Sequence, residues 1–409
     1  MPQNELSNRE KSLYCPRQRY LDIIRRNISH SKHTLLLAPC GLGKSLLVRD
    51  LFESEKKDKS RSANTTFVAL DLARVSISPE NFAQEFIGSI AAANDRAQAG
   101  GALAYEDIDF LLQQKYSGEV REILSRIRNE LQKIKPDQRL ILTQAFACAE
   151  QFAADNNRKL VIALDDAEQL LGFDNFPQIR DSAQLFADAT KRSKNVVYIL
   201  ISSFVSEMRK RFSHSLDTQS LDIVNLESFS AQETRQLAEK ILGKMDERVA
   251  AQMHHWCAGI PSVTVSLAEK LVQAHINVKD VASVPKIKDI FAQEIASPAS
   301  LIYQYTKEEF STALVHARGA SLLKSIVRVV ALHDNLRLTE IARKVYRSGP
   351  VTKSLLDRLG EVDLIKKKDS TFEFQNPIVK NWCKAYFAGL ELSKDAAGEE
   401  IEQVKKLIS

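Results

Sequence analysis

The chain of 409 residues has no apolar run approaching the roughly 18 residues that a bilayer-spanning helix needs. Residues Met1 to Ser7 show no basic segment followed by an apolar one, so the expected location is the cytoplasm. Its five cysteines (Cys15, Cys40, Cys148, Cys257 and Cys383) are odd in number and include no Cys-x-x-Cys pair, which argues against a disulfide framework or a zinc knuckle. His254 and His255 adjoin, but neighbours on a helix do not share a face and no third ligand stands nearby. No solenoid repeat recurs. A strong excess of one charge is also missing. The net charge is +5, and residues 301–390 supply it with 15 Lys and Arg against 9 Asp and Glu. Attraction to an acidic partner is therefore concentrated in the last third. What remains is an ordinary globular composition, 44% hydrophobic and 27% charged, long enough for two or three domains.

The most informative segment is Ala38-Pro39-Cys40-Gly41-Leu42-Gly43-Lys44-Ser45, which fits the relaxed phosphate-loop pattern. A short apolar run, 33–37, precedes it, and apolar residues at helical spacing follow from Leu46. Strand, glycine loop and helix start gather backbone N–H groups around a phosphate at the positive end of a helix. Lys44 is placed to reach the β- and γ-phosphates, and the Ser45 hydroxyl to ligate Mg²⁺. Gly41 and Gly43 allow oxygen atoms to approach the backbone closely.

A second apolar run, 160–164, ends in Asp165-Asp166. Acids directly after a buried strand are costly unless they meet a cation. Asp165 is assigned to the metal and Asp166 to the attacking water, with Glu168 as a longer-armed rival for the water. A third run, 196–201, ends in Ser202-Ser203. If its strand lies between the other two, both hydroxyls face the reacting phosphate.

Strand-like and helix-like segments alternate through the first half, the pattern of a parallel sheet with crossover helices. Strands are expected at 34–37, 66–70, 160–164, 196–201 and 223–226. Helices are expected at 81–92, 119–132 and 139–154, with an Ala/Gly-rich break at 97–102. Ser230 with Glu233 three residues on marks a helix start, and helix continues to about 289 with a break at Gly259-Ile260-Pro261. After a loose connection at 297–300 come helices at 322–332, 338–346 and 351–359. A basic strand pair follows at 364–368 and 371–374. Three helices and a two-stranded wing make a winged helix-turn-helix.

Across residues 14–388 these features resemble the archaeal-type P-loop ATPases of the AAA+/STAND group. Tyr14-Cys15-Pro16-Arg17 is similar to that family's N-terminal nucleotide motif, with Arg17 at the motif arginine. Leu164-Asp165-Asp166 resembles its Walker B element, and Ile201-Ser202-Ser203 its sensor strand. Gly259-Ile260-Pro261 resembles the Gly-x-Pro of a helical lid, which implies Pro261 over the bound base. The stretch Phe372-Glu373-Phe374-Gln375-Asn376-Pro377, followed by Trp382, resembles its C-terminal module. The resemblance implies an α/β fold: a P-loop NTPase parallel sheet with helices on both faces, then an all-α lid and a winged helix. The corresponding divisions are 1–227, 228–296, 297–390 and a helical tail, 391–409. It also implies ATP and Mg²⁺ as cofactors, with Ala38 to Leu46, Arg17 and Pro261 around the nucleotide. Ala38 for Gly, Asp166 for Glu, no sensor Asn and no lid arginine depart from the pattern. They point to a slowly hydrolysing switch.

Three roles stay open: an ATPase acting on DNA, a signalling or defence switch assembling with a protein, and a DNA-binding regulator with an inert site. Lys353, Arg358, Lys366, Lys367 and Lys368 would carry duplex DNA contacts on the third helix and wing. Arg209 and Arg211, past the sensor strand, are candidate arginine fingers for a neighbouring copy in a homo-oligomer.

Overall fold

The computed structural model describes residues 7–58, 63–75, 78–94, 105–191, 193–317, 320–392 and 398–408; the Ala/Gly-rich break at 97–102 lies outside them. Helices α1 (Asn8–Leu13) and α2 (Gln18–Ser29) lead into β1 (His33–Leu37) and α3 (Lys44–Lys57). Next come β2 (Thr65–Asp71) and four helices, α4 (Pro79–Asn94), α5 (Ile108–Gln113), α6 (Gly118–Leu131) and α7 (Gln138–Asp155). Strand β3 (Lys159–Asp165) runs into a 3₁₀ helix (Ala167–Asn175), and α8 (Ser182–Thr190), β4 (Val196–Ser202), α9 (Val205–Ser215) and β5 (Leu221–Asn225) complete the unit. The five strands pair in parallel in the order β2-β3-β4-β1-β5, so β4 does lie between the loop-bearing strand and the Asp165 strand.

Both faces of this sheet are covered, which is why its strands read as nearly unbroken apolar runs. Side chains alternate between two buried clusters. Leu35, Val68, Ile162 and Tyr198 face one side, where Phe82, Phe86, Phe146 and Phe186 of α4, α7 and α8 pack as interlocking rings. Leu36, Phe67, Val161 and Ile199 face the other, where α2 and α3 lie.

That second cluster continues without interruption through the rest of the chain. It takes in α10 (Ala231–Leu242), α11 (Glu247–Cys257), α12 (Pro261–Gln273) and α13 (Val284–Ala296). The Ser230–Glu233 capping box opens α10 as the sequence requires, and Pro261 occupies the first turn of α12. The helical stretch is broken again at Gly243 and between 274 and 283, besides the break before Pro261. The connection at 297–300 is a tight turn with buried ends rather than a loose linker: Ser300 N–H donates to the Ser297 carbonyl, and Ser300 Oγ accepts from the Ile302 N–H. It leads into α14 (Leu301–Ala317), a helix the sequence did not signal, because its exposed stripe carries the apolar Leu301 and Val315.

The remaining elements are α15 (Ala320–Leu332), β6 (Leu336–Arg337), α16 (Leu338–Lys344), α17 (Gly349–Glu361), β7 (Ile365–Lys368), β8 (Thr371–Phe374), α18 (Pro377–Phe387) and α19 (Gly398–Leu407). The short β6 adds a third antiparallel strand to the expected pair, in the order β6-β8-β7. Trp382 of α18 is buried against Phe310 and Tyr303 of α14. Among the described residues no helix is long and apolar enough to cross a membrane.

A buried imidazole sits inside the sheet. His33 at the start of β1 is buried, and its Nδ1 accepts the Tyr198 N–H at 3.2 Å. The imidazolium form cannot accept that bond, and burial pushes the His33 pKa down to about 4 against a partial rise from the Thr190 carbonyl. Because the folded value lies below the unfolded one, the stabilisation is complete above pH 6.5 and is lost as pH falls toward 4. The loss should reach about 3 kcal/mol over that window. Urea denaturation across pH should show it as a difference in slope between the parent protein and a non-titrating His33→Gln variant.

Candidate nucleotide-binding site

The loop between β1 and α3 turns on two glycines. Gly41 and Gly43 have φ of 78° and 85°, conformations that a side chain would strain. Space forbids a side chain at Gly41 as well: a Cβ there would collide with Ser262 Oγ and press on Ile260 and Tyr305. The Gly41 carbonyl accepts the Ser262 N–H at 3.3 Å, so the start of α12 sits directly on the loop.

Lys44 is buried at the mouth of this loop. Its ammonium donates to the carbonyls of Ala38 (2.7 Å) and Pro39 (3.1 Å) and to Ser203 Oγ (2.9 Å). Burial lowers its pKa, while Cys40, Glu168, Asp165 and Asp166 pull it back up. The predicted cation, phosphate loop and sensor serine are therefore assembled around one charge. Ser202 is turned the other way; its Oγ accepts the Phe204 N–H at 3.0 Å.

Asp165 ends β3 and lines a cavity of about 250 Å³ together with Ser45. Asp71, at the end of β2 and in register with Asp165, lines the same cavity. The sequence reading passed over Asp71, although an acid closing the apolar run 67–70 is the same signal that exposed Asp165. Its carboxylate accepts the Ala73 N–H and pairs with Arg74 at 3.0 Å. Among the described residues no cluster of three or more His, Cys, Asp or Glu is arranged to hold a metal. Mg²⁺ needs no such cage, since it keeps waters and takes one or two protein oxygens plus phosphate oxygens. Ser45 beside Asp165 fits that donor set.

Asp166 follows in a left-handed conformation (φ 51°) and starts the 3₁₀ helix. Its N–H donates to Asp165 Oδ1 at 3.2 Å. Burial, reinforced by the charges of Asp165 and Asp71, pushes its pKa up to about 6. Glu168, one turn on, is pushed by burial to about 7, a rise that the nearby Ser202 hydroxyl opposes.

On the other side of the loop lies a larger cavity of about 570 Å³, mostly apolar, bounded by the loop, Tyr14, Arg17, Phe229 and Pro261. Its size and lining suit a nucleoside. Arg17 caps α2, stacks 4.3 Å from the Phe229 ring centroid and donates to the Glu227 carbonyl at 2.7 Å. Its Nη2 is buried with no partner, a donor free for a ligand. Gly259 makes this wall possible: its carbonyl accepts the Phe229 N–H at 2.8 Å, and a Cβ there would strike the Phe229 backbone.

Three side chains that sequence reading did not select reach the loop from the C-terminal segment. Tyr305 of α14 donates through its hydroxyl to the Cys40 carbonyl at 3.2 Å. Asn376 donates to the Tyr305 oxygen at 3.1 Å and to Glu309 Oε2 at 3.0 Å. Only Asn376 carried a signal, its place before Pro377.

The other predicted residues stand apart from the loop. Arg211 is held by Asp174 (2.6 Å) and Asp181 (3.2 Å), and Arg209 by Asn225, so both are engaged within the chain. Arg358 points back to the Ala317 carbonyl at the end of α14 (Nε at 2.9 Å) instead of projecting from α17. An orphan helix-end carbonyl buried beside a guanidinium explains that turn. Lys366 and Lys368 both pair with Glu373 across the ribbon, at 3.4 and 3.7 Å, while Lys353 and Lys367 are exposed.

No protein-family model and no curated protein matches the sequence. Solved structures do match. A Walker-type ATPase of Pyrococcus abyssi superposes over 94% of this chain and 99% of its own, with TM-score 0.62 and 15% identity. The ORC2 protein of Aeropyrum pernix, determined in ADPNP and ADP complexes, superposes over 94% and 96%, with TM-score 0.51 and 12% identity. The chain thus has the α/β fold of the Walker-type P-loop ATPases along nearly its full length.

Proposed function

We propose that this protein is a Mg²⁺-dependent ATPase, converting ATP to ADP and phosphate slowly and acting as a nucleotide-driven switch. The observation that carries the reading is Lys44, whose ammonium is held between the loop carbonyls and Ser203 with Ser45 and the β3 acids alongside. ATP fills the cavity between loop and α12, with Arg17 and Pro261 at the base and the residues from Ala38 to Leu46 on the phosphates. Ser45 and Asp165 hold the metal, which neutralises phosphate charge. Lys44 leaves its loop carbonyls for the phosphates, and Ser203 steadies it. Residues 1–227 act as the ATPase core, 228–296 as the lid, 297–390 as a winged helix and 391–409 as a tail. The Tyr305–Cys40 bond favours slow turnover, since the C-terminal segment rests on the loop that must admit phosphate.

Duplex DNA, met through Lys353, Lys366, Lys367 and Lys368, is the first partner in this reading. A second reading, assembly with a protein or with further copies, is favoured by one observation. Arg358 bonds to the Ala317 carbonyl, Lys366 and Lys368 share Glu373, and the turn after α17 is tied to α9 by Ser206–Asp363 bonds of 2.9 and 2.6 Å.

Lys44→Ala should lower ATP turnover by about two orders of magnitude or more. Phosphate release by purified protein measures this, and turnover unchanged by the substitution would sink the assignment. Replacing Lys366, Lys367 and Lys368 together with Ala should weaken duplex binding and reduce the slope of log affinity against log salt by up to about 2.7. A titration at several salt concentrations reads that slope; an unchanged one selects the protein-partner reading.

A further inference from the structure

Two cavities meet at the phosphate loop, and their shared wall is Cys40, Asp166 and Ser203. The larger is the nucleotide cavity. The smaller, about 210 Å³, lies between the loop, Phe204, α14 and residues 362–364, and Glu168 lines only this one. At roughly 30 Å³ per water it has room for several water molecules beside the loop, and polar groups to hold them. Ser203 opens onto both cavities and carries the Lys44 bond, so it marks where the terminal phosphate and this water space adjoin.

Glu168 is built into that space in an unusual way. Its Oε2 is buried and has no hydrogen-bond partner. A buried acceptor left without a donor is costly, so the group is arranged for a donor that arrives with the ligand. Asp166 is differently placed. Its N–H is bonded to Asp165, its carboxylate feels the charges of Asp165 and Asp71, and it lines the nucleotide cavity as well as the smaller one. It is also one methylene shorter.

We propose that Glu168, rather than Asp166, is the catalytic carboxylate that positions and deprotonates the attacking water. The inference rests on the ATPase reading above. As the water oxygen bonds to the γ-phosphorus, the bond from phosphorus to the β–γ bridging oxygen breaks and its electron pair stays on ADP. The proton leaving the water passes to Glu168 Oε2 and then to the released phosphate or to solvent. Asp166 orders the metal-side carboxylates and takes no proton. Burial raises Glu168 into the range where a carboxylate can act as base at neutral pH.

Glu168→Gln tests this, because the amide keeps the volume and one acceptor oxygen for Ser202 while removing the charge and the basic oxygen. Single-turnover phosphate release and equilibrium binding of a fluorescent ATP analogue are measured on the full chain for the parent, Glu168→Gln, Asp166→Asn and Lys44→Ala. The expected result is a fall in turnover of about 100-fold or more for Glu168→Gln with analogue affinity within about threefold of the parent. Asp166→Asn should lose less than tenfold at saturating Mg²⁺. Turnover retained in Glu168→Gln, or lost in Asp166→Asn to the larger extent, overturns the inference and leaves the ATPase reading standing. Loss of analogue binding in Glu168→Gln makes its role structural and also overturns it. A parent with no Lys44-dependent hydrolysis overturns both.

Discussion

A buried ammonium organises this molecule. Lys44 sits where a strand ends and a helix begins, and a charge there is tolerated only if every surrounding element contributes something to it. Ala38 and Pro39 give carbonyls, Ser203 a hydroxyl, and the acids after β3 a compensating field. Those contributions come from β1, β4 and β3, which the strand order brings side by side. The sheet is thus the frame that makes a buried lysine affordable, and the lysine fixes what the ends of the strands must carry.

The same constraint reaches beyond the sheet. Positive-φ glycine at 41 leaves room for Ser262 and Tyr305 to touch the loop, so the helices after residue 228 approach the phosphate-binding backbone itself. Asn376, more than three hundred residues along the chain from the loop, is two hydrogen bonds from the Cys40 carbonyl. One apolar cluster runs from the sheet to α19, so the loop and the C-terminal segment share a continuous packed core.

Much of this was legible in the sequence, because its signals are local. The loop, the apolar strands and the Ser230 cap each depend on residues within a few positions of one another, where periodicity and capping chemistry operate. Asp165 could be read as an acid closing an apolar run. Asp71 carries that signal too, but nothing in the chain order says that β2 lies beside β3. The base of the third helix looked cationic in the sequence, yet Arg358 is consumed by a helix-end carbonyl 41 residues earlier. Helix α14 is not signalled because the apolar Leu301 and Val315 stand on its exposed face and blur the polar stripe that helical periodicity depends on.

The sequence by itself determined where a phosphate could bind, since a glycine loop between strand and helix is a property of adjacent residues. It also determined that the following strands would be buried on both faces. Only the tertiary structure decided which acid opens onto the smaller cavity alone, which serine receives the lysine, and which distant side chains rest on the loop. Asp166 and Glu168 are two residues apart and chemically alike. Their difference arises from the left-handed turn at 166, the 3₁₀ helix after it and the cavity walls supplied by α14 and residues 362–364. Direction and solvent access belong to packing, and packing is set by elements that the chain brings together from far apart.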